Sequence, residues 1–317
     1  MENLEWFLLA IMAAYALAGL TPFVRKICGF RFGFGLVAII LVCPLIIPSA
    51  SVGLRAASAF ASGEIGFKLI DYFRQLRQKE NPLSVREFFR MLIPFPVFST
   101  VYPDHKRRLS SPDKLWPNLL RIVLGIAGCI IAVSTLKAFS QVDLVRSNFA
   151  INHIVMLLTF VIAIESLSRV CYGLELLAGF DTTPIIRNAF LSRSIFEFWQ
   201  RYNYRIHDWL YHNVFVPTGG RRNPIRSTLL VFFVSGVFHE LMFTIATSRL
   251  TGYQLAFFSI QGPAAIASVR LAKRRGIKAQ IVSHLVTMLF MGCSSVLFFD
   301  GVARIFPFLY VSQSPLQ

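Results

Sequence analysis

The chain has 317 residues, 55% of them hydrophobic and only 15% charged, with a mean hydropathy of +0.59. Soluble domains run at about 45–50% apolar and about 25% charged, so the composition excludes an ordinary water-soluble globule and indicates a polytopic membrane protein. Lys and Arg number 32 against 16 Asp and Glu, a net charge of +16. The basic residues fall between apolar runs rather than along one polar face, which is the pattern of membrane topology and not of nucleic-acid binding.

A spanning helix needs about 20 mostly apolar residues. Eight stretches qualify: 4–24, 33–54, 56–73, 118–136, 150–179, 227–247, 252–269 and 279–300. The N-terminus carries Glu2 and Glu5 with no basic region, which predicts a retained first span rather than a cleaved leader. Glu64 and Lys68 interrupt the third span, and the long fifth is expected to tilt or break near Gly173. Cys28, Cys43, Cys129, Cys171 and Cys293 form no CxxC pair. They read as small buried hydrophobes, neither a disulfide framework nor a zinc site. No internal repeat is visible. The expected fold is all-α: one integral-membrane domain over 1–317, with about eight transmembrane helices plus interfacial helices.

Alternating these spans places segments 25–32, 74–117, 180–226 and 270–278 on one side, with 24 of the 32 Lys and Arg. The opposite connections hold Arg55, Lys137, Arg146 and Arg249. Cytoplasmic loops carry the basic excess, so 74–117 and 180–226 are expected to be cytoplasmic and both termini to face away. In the first segment, Pro94, Pro96, Pro103, Pro112 and Pro117 interrupt a run rich in Phe88, Phe89, Phe95, Phe98, Tyr102 and Trp116. Short helices on the membrane surface are expected there.

The second segment contains SRSIFEFWQRYNYRIHDWLYHNVFVPTGGRRNP. Ser194 followed by Glu197 is a capping box and marks a helix start. Ile195, Phe198, Trp199, Tyr202, Ile206, Trp209 and Leu210 recur at helical spacing, with Glu197, Arg201, Arg205 and Asp208 opposite. This predicts one amphipathic interfacial helix over 194–211, with Asn203 and His207 on one edge. Pro217, Gly219, Gly220 and Pro224 predict a turn leading into the next span.

That span, LLVFFVSGVFHELMFTIA, places His239 near mid-membrane, where an ionisable group is costly and marks a functional candidate. The structural alternative is a histidine bonded to a neighbouring helix, with Ser235 one turn away. Phe243 stands where a zinc-protease HExxH needs its second histidine, and neither GxSxG nor GxxxxGK[ST] occurs. A neutral histidine in a dry chamber is suited to act as general base towards a hydroxyl.

EFWQRYNYRIHDWL, an aromatic-Pro turn and VSGVFHELMF resemble the membrane-bound O-acyltransferase family. The wax-synthase-like branch is the nearest match, through an EFW-x-R-x-N helix followed by a VSG-x-x-HE span. The resemblance covers about residues 194–265, and FKLIDYF at 67–73 followed by NPL matches more weakly. Tyr202 replaces an aromatic residue that is usually Trp in the family pattern, and Tyr204 follows Asn203.

The resemblance implies transfer of an acyl group from a thioester donor, acyl-CoA or carrier-protein-bound, to a hydroxyl acceptor. It assigns His239 as base and Asn203 as an orienting hydrogen-bonder. No metal and no covalent cofactor is expected, because a thioester is already activated. Trp199, Arg201, Tyr202, His207, Ser235 and Glu240 make up the expected substrate-binding set, with Glu240 also holding local structure. Arg201, Arg205, Arg221 and Arg222 suit a mouth for an anionic donor, or contact with anionic lipid. Glu165 and Arg169 lie four apart and are expected to pair; His153 and His284 are expected to be ordinary interfacial residues. The implied partners are donor, acceptor and membrane lipids, with no nucleic acid. Two other classes remain open: a proton-coupled transporter using His239 and Glu165, and a non-catalytic membrane scaffold of the same fold.

Overall fold

The structure, a computed structural model, describes residues 2–77, 84–92, 115–178, 182–272 and 276–310. Every long element among them is helical. In chain order they are α1 (Glu2–Gly19), α2 (Thr21–Val42), α3 (Val52–Arg77), α4 (Val85–Leu92), α5 (Leu115–Phe139), α6 (Asp143–Ser147), α7 (Phe149–Leu177), α8 (Ile195–Arg201), α9 (Tyr204–Leu210), α10 (Pro224–Thr247), α11 (Tyr253–Ala272) and α12 (Ile277–Ile305). Each of the eight sequence-predicted spans is helical over most of its length; the second leaves α2 through the short turn Cys43–Ile46. Five stretches, 3–23, 115–139, 149–177, 224–247 and 277–305, are long and apolar enough to cross a membrane by length and composition. The chain is an integral membrane protein.

Two compact units make up the fold. One contains the chain up to Arg107 with Glu240–Thr251; the other contains Arg108–His239 with Gly252–Gln317. In the first unit α1, α2 and α3 pack together, and Ala14, Ala18, Ile40, Ile65, Leu69 and Tyr72 sit in its core. Ser84 and Glu87 form a reciprocal capping box that starts α4, with Ser84 N donating to Glu87 Oε2 at 2.8 Å and Glu87 N to Ser84 Oγ at 3.3 Å. Helix α4 then seats Phe88 edge-on against Tyr72, ring centroids 4.8 Å apart. This bears out a short helix in the 74–117 segment; its residues 93–114 lie outside the described residues. The two charges that interrupt the third span are buried and paired, Lys68 Nζ to Glu64 Oε1 at 3.0 Å. One helical turn separates them, so each neutralises the other without leaving α3.

In the second unit α5 and α7 pack along their full length. Helix α7 is continuous through Gly173, so of the expected tilt or break the break does not occur. A Cβ at Gly173 would lie 3.0 Å from the Asn118 carbonyl oxygen, and one at Gly125 would lie 2.7 Å from that of Ser166. These glycines let two backbones approach, as small residues do between membrane helices. Cys43 is buried, whereas Cys293 is exposed, contrary to its expected burial.

Candidate functional site

The expected single helix over 194–211 is two helices, α8 and α9, broken at Tyr202 and Asn203. Helix α8 starts where the sequence put it, with Ser194 Oγ accepting from Glu197 N at 3.0 Å. Ser268 of α11 accepts from Phe196 N at 3.2 Å. The break is made by Asn203, which adopts a left-handed conformation with φ 46° and ψ 59°. Its Oδ1 accepts from Ile206 N at 3.4 Å and caps α9. Asn tolerates this conformation better than most residues, so hydrophobic periodicity alone does not reveal the break. The freed backbone pairs with 185–187: Tyr204 N donates to Ile185 O at 2.7 Å, and Arg187 N to Arg201 O at 3.0 Å.

Arg205 is not on a water face. It is 4% exposed, and its Nη1 donates to Glu175 Oε1 at 2.6 Å while its Nε donates to the Thr183 carbonyl at 2.8 Å. The bidentate pair ties α9 to the end of α7, so Arg205 holds structure and is not free for an anionic donor. Arg201 pairs with Glu197 at 2.5 Å. Arg187 lies over the Tyr204 ring, 3.4 Å from its centroid.

Trp199 points into the protein. Its indole Nε1 donates to Gln261 Oε1 at 3.1 Å, and Gln261 Nε2 donates to Ser294 Oγ at 2.9 Å. One fully buried amide thereby ties α8 to α11 and α12. The indole ring meets Phe232, Phe257 and Phe258 at centroid distances of 5.8, 6.1 and 5.5 Å. Tyr202 stacks on Phe198 at 5.3 Å, and burial pushes its phenol up to about 12. His207 lies one turn beyond Asn203, its imidazole pushed below the ordinary histidine range by burial, an effect that Asp208 opposes.

His239 is half-buried on α10. Its ring lies 4.3 Å from that of Phe258 and 6.0 Å from that of Phe298. Phe258 therefore touches both Trp199 and His239, and the helix α8 and the span α10 converge on one ring of α11. The Nδ1 atom of His239 lies 2.8 Å from the Ser235 carbonyl oxygen. A carbonyl only accepts, so in the neutral ring Nδ1 carries the proton and Nε2 carries the lone pair. Among the described residues no hydrogen bond is made to Nε2. Ser235 thus serves through its main-chain oxygen, which any residue at 235 would supply. No hydrogen bond joins Asn203 to His239 either.

Residues 119–299, more than half of the chain, match the model of the MBOAT, membrane-bound O-acyltransferase family. The chain belongs to this family. Among curated relatives, 81 residues are 31% identical to the probable alginate O-acetylase AlgI of Pseudomonas putida, covering 24% of this chain and 17% of that protein. A further match of 167 residues is 23% identical to the probable alginate O-acetylase AlgI of Pseudomonas aeruginosa, covering 49% of this chain and 32% of that protein. The matches span less than a third of either relative's length. Within the O-acyltransferase match lie α7 to α11 and with them every residue of the candidate site, while α1 to α4 lie outside it.

Glu240, next to His239 in sequence, is engaged elsewhere, because its Oε1 accepts from Thr251 N at 3.0 Å and holds the connection after α10. His153 and His284, each near the start of a long helix, are bonded within the protein. His153 is 6% exposed and uses both ring nitrogens, and His284 Nδ1 donates to the Ser192 carbonyl at 3.0 Å. Glu165 and Arg169 make no ion pair within 4.0 Å among the described residues; Glu175 and Arg205 form the buried pair instead. Sequence reasoning passed over Glu175, Gln261 and Phe258. A carboxylate near the end of an apolar span and an amide within another were the available signals for the first two. Nothing in the sequence marks Phe258 among 31 phenylalanines.

Proposed function

We propose that this chain moves an acyl group from a thioester donor, CoA- or carrier-bound, to a hydroxyl acceptor within the membrane, with His239 as general base. The observation that carries the reading is the Nδ1 bond of His239 to the Ser235 carbonyl, which leaves the Nε2 lone pair for a substrate. Nε2 takes the proton from the acceptor hydroxyl as its oxygen attacks the thioester carbonyl. The tetrahedral oxyanion collapses, the C–S bond breaks, and the departing thiolate recovers the proton from the imidazolium. An ester and a free thiol result, and the histidine returns to its starting state. Asn203 holds α9 in register through its cap and offers its amide to a reacting group. Trp199 and Tyr202 line the approach along the aromatic cluster around Phe258.

The EFW-x-R-x-N and VSG-x-x-HE pair favours the wax-synthase-like branch, whereas the relatives above are named alginate O-acetylases; both are hydroxyl acylations in name. We place the long basic segments, 180–226 included, in the cytoplasm. The count of Lys and Arg carries this orientation; the Arg55–Ser248 hydrogen bond agrees with the span alternation alone, because it joins the α2–α3 and α10–α11 connections, which that alternation puts on one side. Cysteine labelling at position 220 from outside the cell would overturn that orientation. The activity is tested with purified protein and acyl-CoAs of graded length against alcohol and sugar acceptors, read by mass spectrometry. Ester formation dependent on His239 is expected. Near-normal transfer by a well-expressed His239→Ala variant would end the general-base assignment.

A further inference from the structure

Arg55 stands in the first turn of α3, inside the first unit, and is 4% exposed. Its Nη1 donates to Ser248 Oγ at 2.5 Å, and its Nε has no hydrogen-bond partner among the described residues. A buried guanidinium ordinarily meets a carboxylate, because an uncompensated buried charge is expensive. Among the described residues none faces Arg55. The buried acids of the unit are paired elsewhere: Glu64 with Lys68, Asp71 with Arg74, Glu240 with the Thr251 backbone. A cation in the first turn also opposes the helix dipole. The Arg55 charge and the positive end of the helix dipole thus add, with no carboxylate among the described residues to offset them.

The hydroxyls around Arg55 share this feature. Ser58 lies one turn further along the same face of α3, fully buried, with no partner for its Oγ among the described residues. Thr244, one turn before Ser248 on α10, also has an unpartnered hydroxyl. Hydroxyls adapt as donors to an anion, and a guanidinium fork matches the planar edge of an oxyanion.

We propose that Arg55, Ser58 and Ser248 form a binding site for one oxyanion, a carboxylate or phosphate group, at the N-terminal end of α3. The site lies outside the candidate acyl-transfer centre and is independent of the acyl-transfer reading. The oxyanion comes from an anionic lipid headgroup or from a soluble acid, and the experiment separates the two.

The detergent-purified full chain is titrated with phosphatidylglycerol, with sodium glucuronate, and with sodium chloride at matched ionic strength, and thermal unfolding is followed. A saturable rise in Tm with phosphatidylglycerol alone identifies a lipid site; a rise with glucuronate identifies a soluble acid. Arg55→Gln is expected to weaken the apparent affinity at least about tenfold, the size of a charge-assisted bond. Arg55→Lys is expected to retain part of it. Ser58→Ala serves should Arg55→Gln fail to accumulate: it removes an unpaired hydroxyl, so it is expected to leave the ligand-free Tm unchanged or higher while weakening the anion effect. No stabilisation beyond that of chloride, or an affinity unaltered in both Arg55→Gln and Ser58→Ala, overturns the proposal.

Discussion

His153 and His239 both lie within long helices of the second unit, and they are bonded in opposite ways. His153 on α7 donates from Nε2 to the Gly292 carbonyl at 3.1 Å, with Ser295 Oγ at the same distance. Its Nδ1 accepts from the Tyr310 hydroxyl at 2.5 Å. Its ring meets those of Phe149 and Tyr310, at centroid distances of 5.7 and 5.9 Å. His239 on α10 uses only Nδ1, and uses it on its own helix. A histidine with both nitrogens committed is a structural tie, since taking a substrate proton would require breaking the fold locally. A histidine whose second nitrogen is uncommitted has its tautomer set and its reactive lone pair available. Being an ionisable residue in a long apolar helix does not separate these cases; the partners of each ring nitrogen do.

The comparison breaks most sharply on alanine. His239→Ala is expected to lower turnover by about 10²–10⁴-fold, the range of general-base catalysis, with thermal stability close to that of the parent. Acyl transfer per folded molecule and Tm, measured on the same preparation, check both halves. Glu175→Gln is expected to cost about 3–5 kcal/mol of stability, because it leaves Arg205 buried without its carboxylate. Denaturation in detergent measures this, and an unchanged midpoint would mean that the pair is replaceable by water. His153→Ala is expected to cost about 1–3 kcal/mol, the penalty of leaving buried partners such as Tyr310 unsatisfied, while turnover per folded molecule persists. A variant that folds normally and loses turnover would exchange the roles of the two histidines.

Asn203 sharpens the same distinction at smaller scale. Asn203→Gly keeps the left-handed backbone and loses only the cap, about a few tenths of a kcal/mol, whereas Asn203→Ala is expected to cost about 1 kcal/mol. If the amide also meets a reacting group, the glycine variant loses turnover well beyond its stability cost. Near-normal kcat in Asn203→Gly would reduce Asn203 to a helix cap. The smallest effect concerns His207. Burial lowers its folded-state affinity for a proton, so the unfolded chain binds more protons as pH falls through about 6.5. Its contribution to stability is present above that pH and declines towards the lowered folded value. His207→Gln is expected to flatten the fall in Tm between about pH 7.5 and about pH 5.5, a window bracketing the ordinary histidine value; an identical slope would show that another group drives it.

The sequence by itself determined where the long helices run, because apolar length and charge interruptions report burial in a membrane without any knowledge of neighbours. It also determined where α8 starts, since Ser194 and Glu197 act within one helical turn, and that His239 stands out, since an ionisable residue in the middle of an apolar span is conspicuous in one dimension. The partners were decided only by tertiary structure. Glu175 and Arg205 are 30 residues apart, Trp199 and Gln261 62, His153 and Tyr310 157. None of these pairings has a local signature. The break at Asn203 belongs with them: the periodicity of the apolar stripe continues through it, and the bonds that compensate it come from residues 185–187. Whether Arg205 binds a ligand or a carboxylate, and whether a histidine ties or reacts, depends on what the fold brings within about 3 Å of each nitrogen.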